Sequence, residues 1–345
     1  MTKRRRVTIK DVARAAGVST QTVSRVINDR PDVAEETRQQ VTLVIDRLGY
    51  RPSAIARSLI RQRSFTIGVV TAGLKYIGPS RTLNGIADQA EQSGYALLLK
   101  ELPSFQTREV EPIIDSLLSR HVEGIIWAVP QIGDNHEWLY SRLPDLNLPI
   151  VFLTMEDHPD LSIVYVDNYA GGCMAARHLL EQGYRRIGHI TGPLDWWEAQ
   201  QRQAGWQQTL EKAGLGVEPA HSAEGNWSSA SGARAAVRLL EQYSRLDAIF
   251  AANDQMALGA IHVLGERGRR VPQDVGVIGF DGISEAAYFR PPLSTIDQDQ
   301  HKLGCGAVTE LLKRIEGGHE DGKDSGAHSV LLRPQLIVRQ STARK

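Results

Sequence analysis

Short apolar segments alternate with amphipathic segments of helical spacing from Phe65 almost to the end of the chain. The candidate strands are 66–71, 96–100, 124–129, 150–153, 163–166, 186–191, 248–251 and 275–280, and candidate helices lie near 82–93, 171–182, 199–213, 231–242 and 255–265. Strands and helices in this alternation form parallel sheets that are covered by helices. The length of 345 residues predicts two doubly wound lobes rather than one.

Carboxylates, an amide and tryptophans follow several of these strands, at the positions where open α/β sheets bind their ligands. Asn253, Asp281 and the segment 192–197 are the clearest examples. Such a set suits a polyhydroxylated ligand, because aromatic rings stack on the C–H faces of a sugar and polar side chains bind its hydroxyls.

Some residues near these positions also have a simpler interpretation. Asp254 could do no more than cap the helix that starts at Gln255. Trp206 and Trp227 could be core aromatics and Arg202 a solvated charge, but we favour a stacking role for Trp227 and a core position for Trp206.

The N-terminal region predicts a pair of short helices. Residues 9–16 have helical spacing and are followed by Gly17, and Ser19 is a good N-cap for a second helix that runs to Asn28. The apolar stripe of the second helix consists of Val23, Val26 and Ile27. Two short helices joined by a Gly-containing turn are typical of a helix-turn-helix. The alternative is an ordinary amphipathic surface helix.

The formal net charge of zero conceals an uneven distribution. Residues 1–63 hold 14 Lys and Arg against 6 Asp and Glu, a net charge of +8, whereas the other residues hold 26 basic and 34 acidic ones, a net charge of −8. A basic module that carries a helix-turn-helix favours a polyanionic partner. A third helix is predicted near 35–48, and 54–60 is helix-capable but too short to be stable by itself.

Several classes of protein are disfavoured by what the sequence lacks. The two cysteines suggest neither a disulfide framework nor a metal site. There is no signal-peptide pattern and no long apolar window, so we expect no membrane partner and a cytoplasmic, nucleoid-associated location. There is no phosphate loop, nucleophile elbow or metal-spaced His or Cys set, so we expect neither an enzyme nor a cofactor.

Several sequence blocks together resemble the lac repressor/galactose repressor family of bacterial transcription regulators, over essentially the full length. The blocks are 8–13 and 18–28 in the helix-turn-helix, 52–59 in the family's hinge helix, and 252–259, 279–281, 291–295 and 298–299 in an effector domain most similar to that of the lac repressor. Together they are specific, whereas a helix-turn-helix alone would be a weak indication.

The resemblance implies which residues contact operator DNA. Thr20, Gln21 and Arg25 correspond to base-reading positions in the major groove, where an arginine can bind guanine through two hydrogen bonds. The implied phosphate contacts are Ser19, Thr22, Ser24 and Asn28. In the hinge helix, Leu59 matches the leucine that the family inserts into the minor groove, and the small Ala56 allows the close approach.

The resemblance also implies an effector site between two lobes of a periplasmic-binding-protein-like domain. The residues assigned to this site are Arg202, Trp227, Asn253, Asp281 and Gln298, with walls from Tyr76, Pro79, Phe152, Trp196 and Leu303. The chain departs from the lac repressor at Trp196, Glu198, Ala128 and Thr154. We therefore expect a pocket that is more aromatic and differently shaped.

The predicted architecture is an α/β protein with a helix-turn-helix domain at 1–50, a hinge helix and linker at 51–64, and a two-lobed effector-binding and dimerisation domain at 65–345. Lobe 1 is predicted to span about 65–166 and 296–328, and lobe 2 about 167–295 and 329–342. Because no leucine heptad follows Arg339, we expect a homodimer rather than a tetramer.

The predicted function is a repressor of sugar-utilisation genes. It would bind a pseudo-palindromic operator as a dimer and be released allosterically by a sugar-like effector. The alternatives are a regulator that needs a corepressor and a sugar-binding receptor with no DNA role.

Overall fold

The computed structural model describes residues 7–50, 63–107, 109–137, 146, 148–320 and 328–344, and the chain divides into two units, Met1–Phe65 and Thr66–Lys345. The described helices are α1 (Ile9–Ala16), α2 (Thr20–Ile27), α3 (Glu35–Leu48), α4 (Ile77–Gln92), α5 (Glu111–Leu118), α6 (Asn168–Glu181), α7 (Trp197–Lys212), α8 (Ser229–Gln242), α9 (Asp254–Glu266) and α10 (Gln300–Glu320). The described strands are β1 (Thr66–Ala72), β2 (Ala96–Leu102), β3 (Ile125–Ala128), β4 (Ile150–Leu153), β5 (Ser162–Val166), β6 (Ile187–Thr191), β7 (Ser222–Glu224), β8 (Ala248–Ala251), β9 (Gly276–Asp281), β10 (Ser294–Asp297), β11 (Ser329–Leu332) and β12 (Gln335–Ile337). Among the described helices, none has an apolar stretch long enough to cross a membrane.

The described part of the first unit contains three helices held together by a small apolar core. At the start of α1, the Asp11 carboxylate accepts hydrogen bonds from the Thr8 backbone N–H at 2.9 Å and from its hydroxyl at 2.7 Å. Gly17 ends the helix with φ of 65°, a conformation that glycine adopts without strain. The buried core consists of Val12, Ala13, Ala16, Val23, Val26, Val41 and Val44. The predicted apolar stripe of α2 is thus buried at Val23 and Val26, and its polar face is left outward.

The second unit consists of two lobes, each built on a six-stranded sheet. The sheet of lobe 1 has the order β11-β5-β4-β3-β1-β2 and is parallel throughout. The sheet of lobe 2 has the order β12-β10-β9-β8-β6-β7 and is parallel except for the β10–β12 pair. The chain passes between the lobes after β5, between β10 and α10, and between β11 and β12. The predicted doubly wound architecture is therefore confirmed.

The later lobe boundaries differ from the prediction. Ser294–Asp297 pairs with β9 in lobe 2, and Ser329–Leu332 pairs with β5 in lobe 1. The second and third passages between the lobes therefore lie a few residues further along the chain than expected. All eight predicted strands are present, but β7, β10, β11 and β12 were not predicted, because they are short and lie at or near sheet edges.

Paired glycines allow three pairs of helices to touch backbone to backbone. The pairs are Gly85 and Gly304 between α4 and α10, Gly172 and Gly205 between α6 and α7, and Gly232 and Gly259 between α8 and α9. A Cβ atom on Gly259 would lie 2.0 Å from the Ser229 carbonyl oxygen, and one on Gly232 would lie 2.3 Å from that of Met256. This close contact fixes the start of α8 beside the start of α9.

We expect Gly259→Ala to destabilise the protein by about 1–3 kcal/mol or more, because its methyl group has no space against the α8 backbone. Gly265→Ala is the matched control, since it lies in the same helix and a Cβ there meets no atom within 4 Å. This control should stabilise by up to about 1 kcal/mol through its better helix propensity. Urea unfolding would compare the variants, and equal effects would contradict the assigned contact.

Candidate functional site

The outward face of α2 presents three of the residues predicted to read DNA bases. Thr20, Gln21 and Arg25 are exposed. The Arg25 guanidinium lies 3.5 Å from the Asp32 carboxylate, and both side chains are about half exposed. Such a surface ion pair contributes only about 0–1 kcal/mol, so Arg25 can leave it for another acceptor at little cost.

The four predicted phosphate contacts also stabilise the ends of α2. The Ser19 hydroxyl oxygen accepts from the Thr22 backbone N–H at 3.0 Å and lies 2.9 Å from the Thr22 hydroxyl. At the other end, the Asn28 side-chain amide donates to the Ser24 carbonyl oxygen at 2.7 Å. These contacts hold the helix termini, and they leave the DNA roles of the four residues as predictions. Ala56 and Leu59 of the predicted hinge helix lie outside the described residues.

A cavity of about 340 Å³ lies between the two lobes of the second unit. The carboxyl ends of strands from both lobes open into it, as expected for a ligand site in parallel sheets. Nine of the ten predicted effector residues line it: Tyr76, Pro79, Trp196, Arg202, Trp227, Asn253, Asp281, Gln298 and Leu303. Ala128, Thr154 and Glu198, three of the positions that depart from the lac repressor, also line it.

Arg202 of α7 forms the centre of the polar side of the cavity and is 3% exposed. Its Nε donates to Asn168 Oδ1 at 2.8 Å, and its Nη1 donates to the Ala252 carbonyl oxygen at 2.6 Å. Two carboxylates flank it, since Nη1 lies 3.6 Å from Asp281 Oδ1 and Nη2 lies 3.8 Å from Glu198 Oε1. The alternative interpretation of Arg202 as a solvated charge is excluded by this burial.

Burial shifts the ionisation of both carboxylates. It raises the pKa of Asp281 to about 6, against the opposing effect of the Arg202 charge. Burial also raises the pKa of Glu198, again opposed by Arg202. Asp281 accepts a hydrogen bond of 2.6 Å from Gln298 Nε2. The result is a group of acceptor oxygens around one guanidinium, an arrangement that can bind the hydroxyls of a ligand.

Trp196 and Trp227 form an aromatic wall. Their ring centroids are 5.6 Å apart with an interplanar angle of 68°. Trp227 has φ of 70°, and Asn253 Nδ2 donates to its carbonyl oxygen at 3.0 Å. Its ring lies where a Cβ atom on Gly192 would be, at 2.1 Å from the nearest ring atom. Trp206 is 1% exposed and packs against His189, so it is a core residue as favoured.

A backbone contact between the lobes holds the loop that carries Trp196. Ile132 of lobe 1 and Trp196 of lobe 2 form an isolated antiparallel bridge. The Gly133 N–H donates to the Asp195 carbonyl oxygen at 3.0 Å, and the Trp197 N–H donates to that of Gln131 at 3.1 Å. The aromatic wall is therefore positioned by both lobes.

One predicted wall residue is misplaced. Phe152 is 1% exposed and belongs to the core of lobe 1 with Trp127, whereas the next residue along the strand, Leu153, lines the cavity. Consecutive residues of a strand point to opposite faces, and a strand buried on both faces carries no pattern that tells them apart. The placement of Phe152 in the cavity wall was therefore wrong.

The capping residue of α9 is Asn253 rather than Asp254. Asn253 Oδ1 accepts from the Met256 N–H at 2.8 Å. The buried Asp254 carboxylate instead accepts from the Ile283 N–H at 2.9 Å and the Thr295 hydroxyl at 2.6 Å, so it fixes the loop after β9. Burial, with a further contribution from the Asp281 charge, raises the pKa of Asp254 to about 8.

Sequence reasoning left several polar lining residues unassigned, including Glu198, Gln255 and Gln300. Within the described structure, Gln255 Oε1 and Gln300 Oε1 are buried and accept no hydrogen bond, so a ligand could supply their donors. Glu198 was identifiable as a departure from the lac repressor, whereas two glutamines at helix starts carry no distinctive pattern. No cluster of three or more metal-ligating side chains suited to a metal ion occurs among the described residues.

Comparison with known proteins identifies the family. Residues 8–53 match the bacterial regulatory proteins, lacI family, and residues 176–342 match a periplasmic binding protein-like domain. The HTH-type transcriptional repressor PurR of Mannheimia succiniciproducens is 34% identical over 338 residues, which is 98% of this chain and 99% of the relative. The chain belongs to the lacI family of bacterial regulatory proteins.

Solved structures of lacI-family regulators have the same fold. The lac repressor dimer bound to operator and the anti-inducer ONPF is 31% identical, with a TM-score of 0.85 over 98% of this chain and 99% of that one. A complex of the transcriptional regulator CelR with cellobiose is 30% identical, with a TM-score of 0.72 over 97% of this chain and 100% of that one. The family resemblance and the fold class inferred from the sequence are therefore confirmed.

The raised pKa of Asp254 predicts a pH dependence of stability. Because the folded state holds this proton up to about pH 8 and the unfolded chain releases it near its ordinary pKa, the associated stability is present at low pH and lost as the pH rises through 8. Asp281 contributes in the same direction up to about pH 6. We expect Asp254→Asn to abolish the loss between pH 6 and 8, which for one proton is at most about 1.4 kcal/mol per pH unit.

Free energies of unfolding in urea at several pH values would measure this effect. Asp274→Asn is the control, because the exposed Asp274 is paired with Arg270 and its pKa is lowered to about 2. Its removal should leave the slope between pH 6 and 8 unchanged. An Asp254→Asn variant with the wild-type slope would show that Asp254 is ionised in the folded protein.

Proposed function

We propose that this lacI-family protein is a homodimeric, cytoplasmic repressor of sugar-utilisation genes. It binds a pseudo-palindromic operator through α2 and is released when a sugar-like effector fills the cavity between the lobes. It acts by binding alone, without a catalytic step or a cofactor. The alternative is a corepressor-dependent regulator, in which a ligand in the same cavity strengthens operator binding through α2.

The composition of the cavity is the observation that carries the sugar proposal. Arg202 and Asp281 supply fixed donors and acceptors on one side, and Trp196 and Trp227 supply flat apolar surfaces on the other. A sugar ring offers hydroxyls at its edge and C–H groups on its faces, so it complements both sides at once. The CelR–cellobiose complex, with the same fold, supports the same ligand class.

Exposed apolar side chains support the homodimer. Leu99 on the edge strand β2 is 42% exposed, Leu258 on α9 is 39% exposed and Tyr288 is 84% exposed. Contiguous apolar surface formed by such residues would suit contact with a second copy, and the lac repressor of the same fold was solved as a dimer. Two copies of α2 in a symmetric dimer would read two operator half-sites, as helix-turn-helix dimers do.

The decisive test is an operator-binding experiment with a ligand panel. DNA selected from a random pool by the full-length protein would be used in mobility-shift titrations with mono- and disaccharides and with nucleobases. We expect a saccharide to weaken operator binding. A saccharide that strengthens it would establish corepression instead. Release by nucleobases alone, or no selected DNA at all, would contradict the sugar or the repressor assignment respectively.

We expect Arg25→Ala to abolish discrimination at one guanine of each half-site, at a cost of about 1–3 kcal/mol, because a bidentate contact to that base is lost. Arg47→Ala removes the same charge from an exposed position in α3 and serves as the control. It should weaken binding to all sequences slightly and equally. A uniform loss for Arg25→Ala as well would make Arg25 a phosphate contact.

A further inference from the structure

The cavity contains an unusual balance of charges. Its ionisable lining residues, among those that the structure describes, are Lys75, Glu198, Arg202 and Asp281. Lys75 is exposed, and its Nζ lies 5.3 Å from the centroid of the Tyr76 ring. Because this ammonium group is solvated at the rim, the interior holds two carboxylates and one guanidinium.

Arg202 is already engaged by protein acceptors. Its Nε and Nη1 already donate to Asn168 and to the Ala252 carbonyl oxygen. Its Nη1 and Nη2 face Asp281 and Glu198, and its guanidinium is stacked 3.8 Å from the centroid of the Phe280 ring. The one deeply buried cation among the described lining residues thus already faces two carboxyl groups.

The two carboxylates differ in how well their charge is compensated. Asp281 accepts the 2.6 Å hydrogen bond from Gln298 and faces Arg202. The charge of Arg81 also stabilises its ionised form, and Arg81 Nη1 donates to the Gly282 carbonyl oxygen at 3.3 Å. Among the described residues, the ion-pair partner of Glu198 is Arg202, and the 3.8 Å separation is too long for a hydrogen bond. Glu198 is therefore the less compensated of the two carboxyl groups in the cavity.

We propose that Glu198 is a specificity-determining residue that makes this cavity select uncharged or cationic effectors and reject anionic ones, such as sugar phosphates and sugar acids. The proposal rests on the proposed role of the cavity as the effector site. An anionic group would lie beside the Glu198 and Asp281 carboxyl groups in a partly enclosed space, and the Arg202 charge that could attract it already faces both of them. A hydroxyl or an amino group would instead donate to the Glu198 oxygens. The ring faces of Trp196 and Trp227 would attract a cation.

The test uses matched ligands that differ in charge. Full-length protein is titrated calorimetrically near neutral pH with glucose, glucosamine, glucuronate and glucose 6-phosphate, with the four galactose counterparts, and with uracil and its carboxylate orotate. We expect the anionic member of any series that binds to be at least about tenfold weaker than its neutral or amino member.

Glu198→Gln keeps the size of the side chain and removes its charge. In this variant we expect the disadvantage of the anion to fall below about threefold and the amino sugar to lose any advantage. Glu211→Gln is the matched control, because Glu211 lies on the exposed end of the same helix and should leave all ratios unchanged. Anions that bind wild type as tightly as neutral ligands, or a ratio that survives in Glu198→Gln, would overturn the proposal.

A second measurement needs no ligand. Iodide, caesium and acrylamide quench tryptophan fluorescence as an anion, a cation and a neutral probe, and Trp196 and Trp227 line the cavity. Glu198→Gln should raise quenching by iodide and lower that by caesium, with acrylamide unchanged. Unchanged iodide quenching would count against the proposal that Glu198 makes the cavity reject anions. Binding of uracil but of no sugar would instead refute the sugar effector. The ratio of the uracil and orotate affinities would still test whether the cavity rejects anions.

Discussion

Direct backbone contact between paired helices is the constraint on which the geometry of the cavity depends. A Cβ atom on Gly172 would lie 2.3 Å from the Arg202 carbonyl oxygen, so α6 and α7 can meet there only without a side chain. The same contact brings Arg202 within hydrogen-bond distance of Asn168, the first residue of α6. On lobe 1, a Cβ atom on Gly304 would lie 2.1 Å from the Thr82 carbonyl oxygen, and this close approach holds the cavity-lining start of α10 against α4. Helix packing and the positions of the ligand-facing side chains are therefore set by the same contacts.

The buried guanidinium of Arg202 shows that the cavity is built for more than stability. A buried charge is tolerated only when its donors are satisfied, and here an amide oxygen, a backbone carbonyl oxygen and two carboxylates surround it. A well-packed apolar set of the same volume would stabilise the fold at least as well. The network is better explained by the polar surface that it offers to a ligand, with Asp281 and Glu198 presenting acceptor oxygens in fixed positions.

The elements that could be predicted from the sequence are those whose burial follows from a local run of apolar residues. Strands β4 and β8 are runs of four apolar residues and were predicted to the residue. Ser294–Asp297 has no apolar run, and it is covered by β9 and β12 on either side. In the cavity, polar and aromatic residues after strand ends were predictable because parallel strands bring those ends together. Phe152 was not, because only the three-dimensional sheet shows which side of a doubly covered strand faces the cleft. Asn253 caps α9, whereas Asp254 contacts Thr295, which is 41 residues away in the sequence. No local pattern contains that contact.

The cavity joins two lobes, and this determines what an effector can do to the protein. Arg202 and Trp227 belong to lobe 2, whereas Tyr76 and Leu303 belong to lobe 1. The lobes also meet through the bridge between Ile132 and Trp196, where two backbone hydrogen bonds contribute only modest net free energy. A ligand changes an equilibrium only by the difference in its free energy of binding to the two states. A molecule that contacts both walls therefore stabilises this arrangement of the lobes, whereas one that binds a single wall equally tightly in every arrangement shifts nothing.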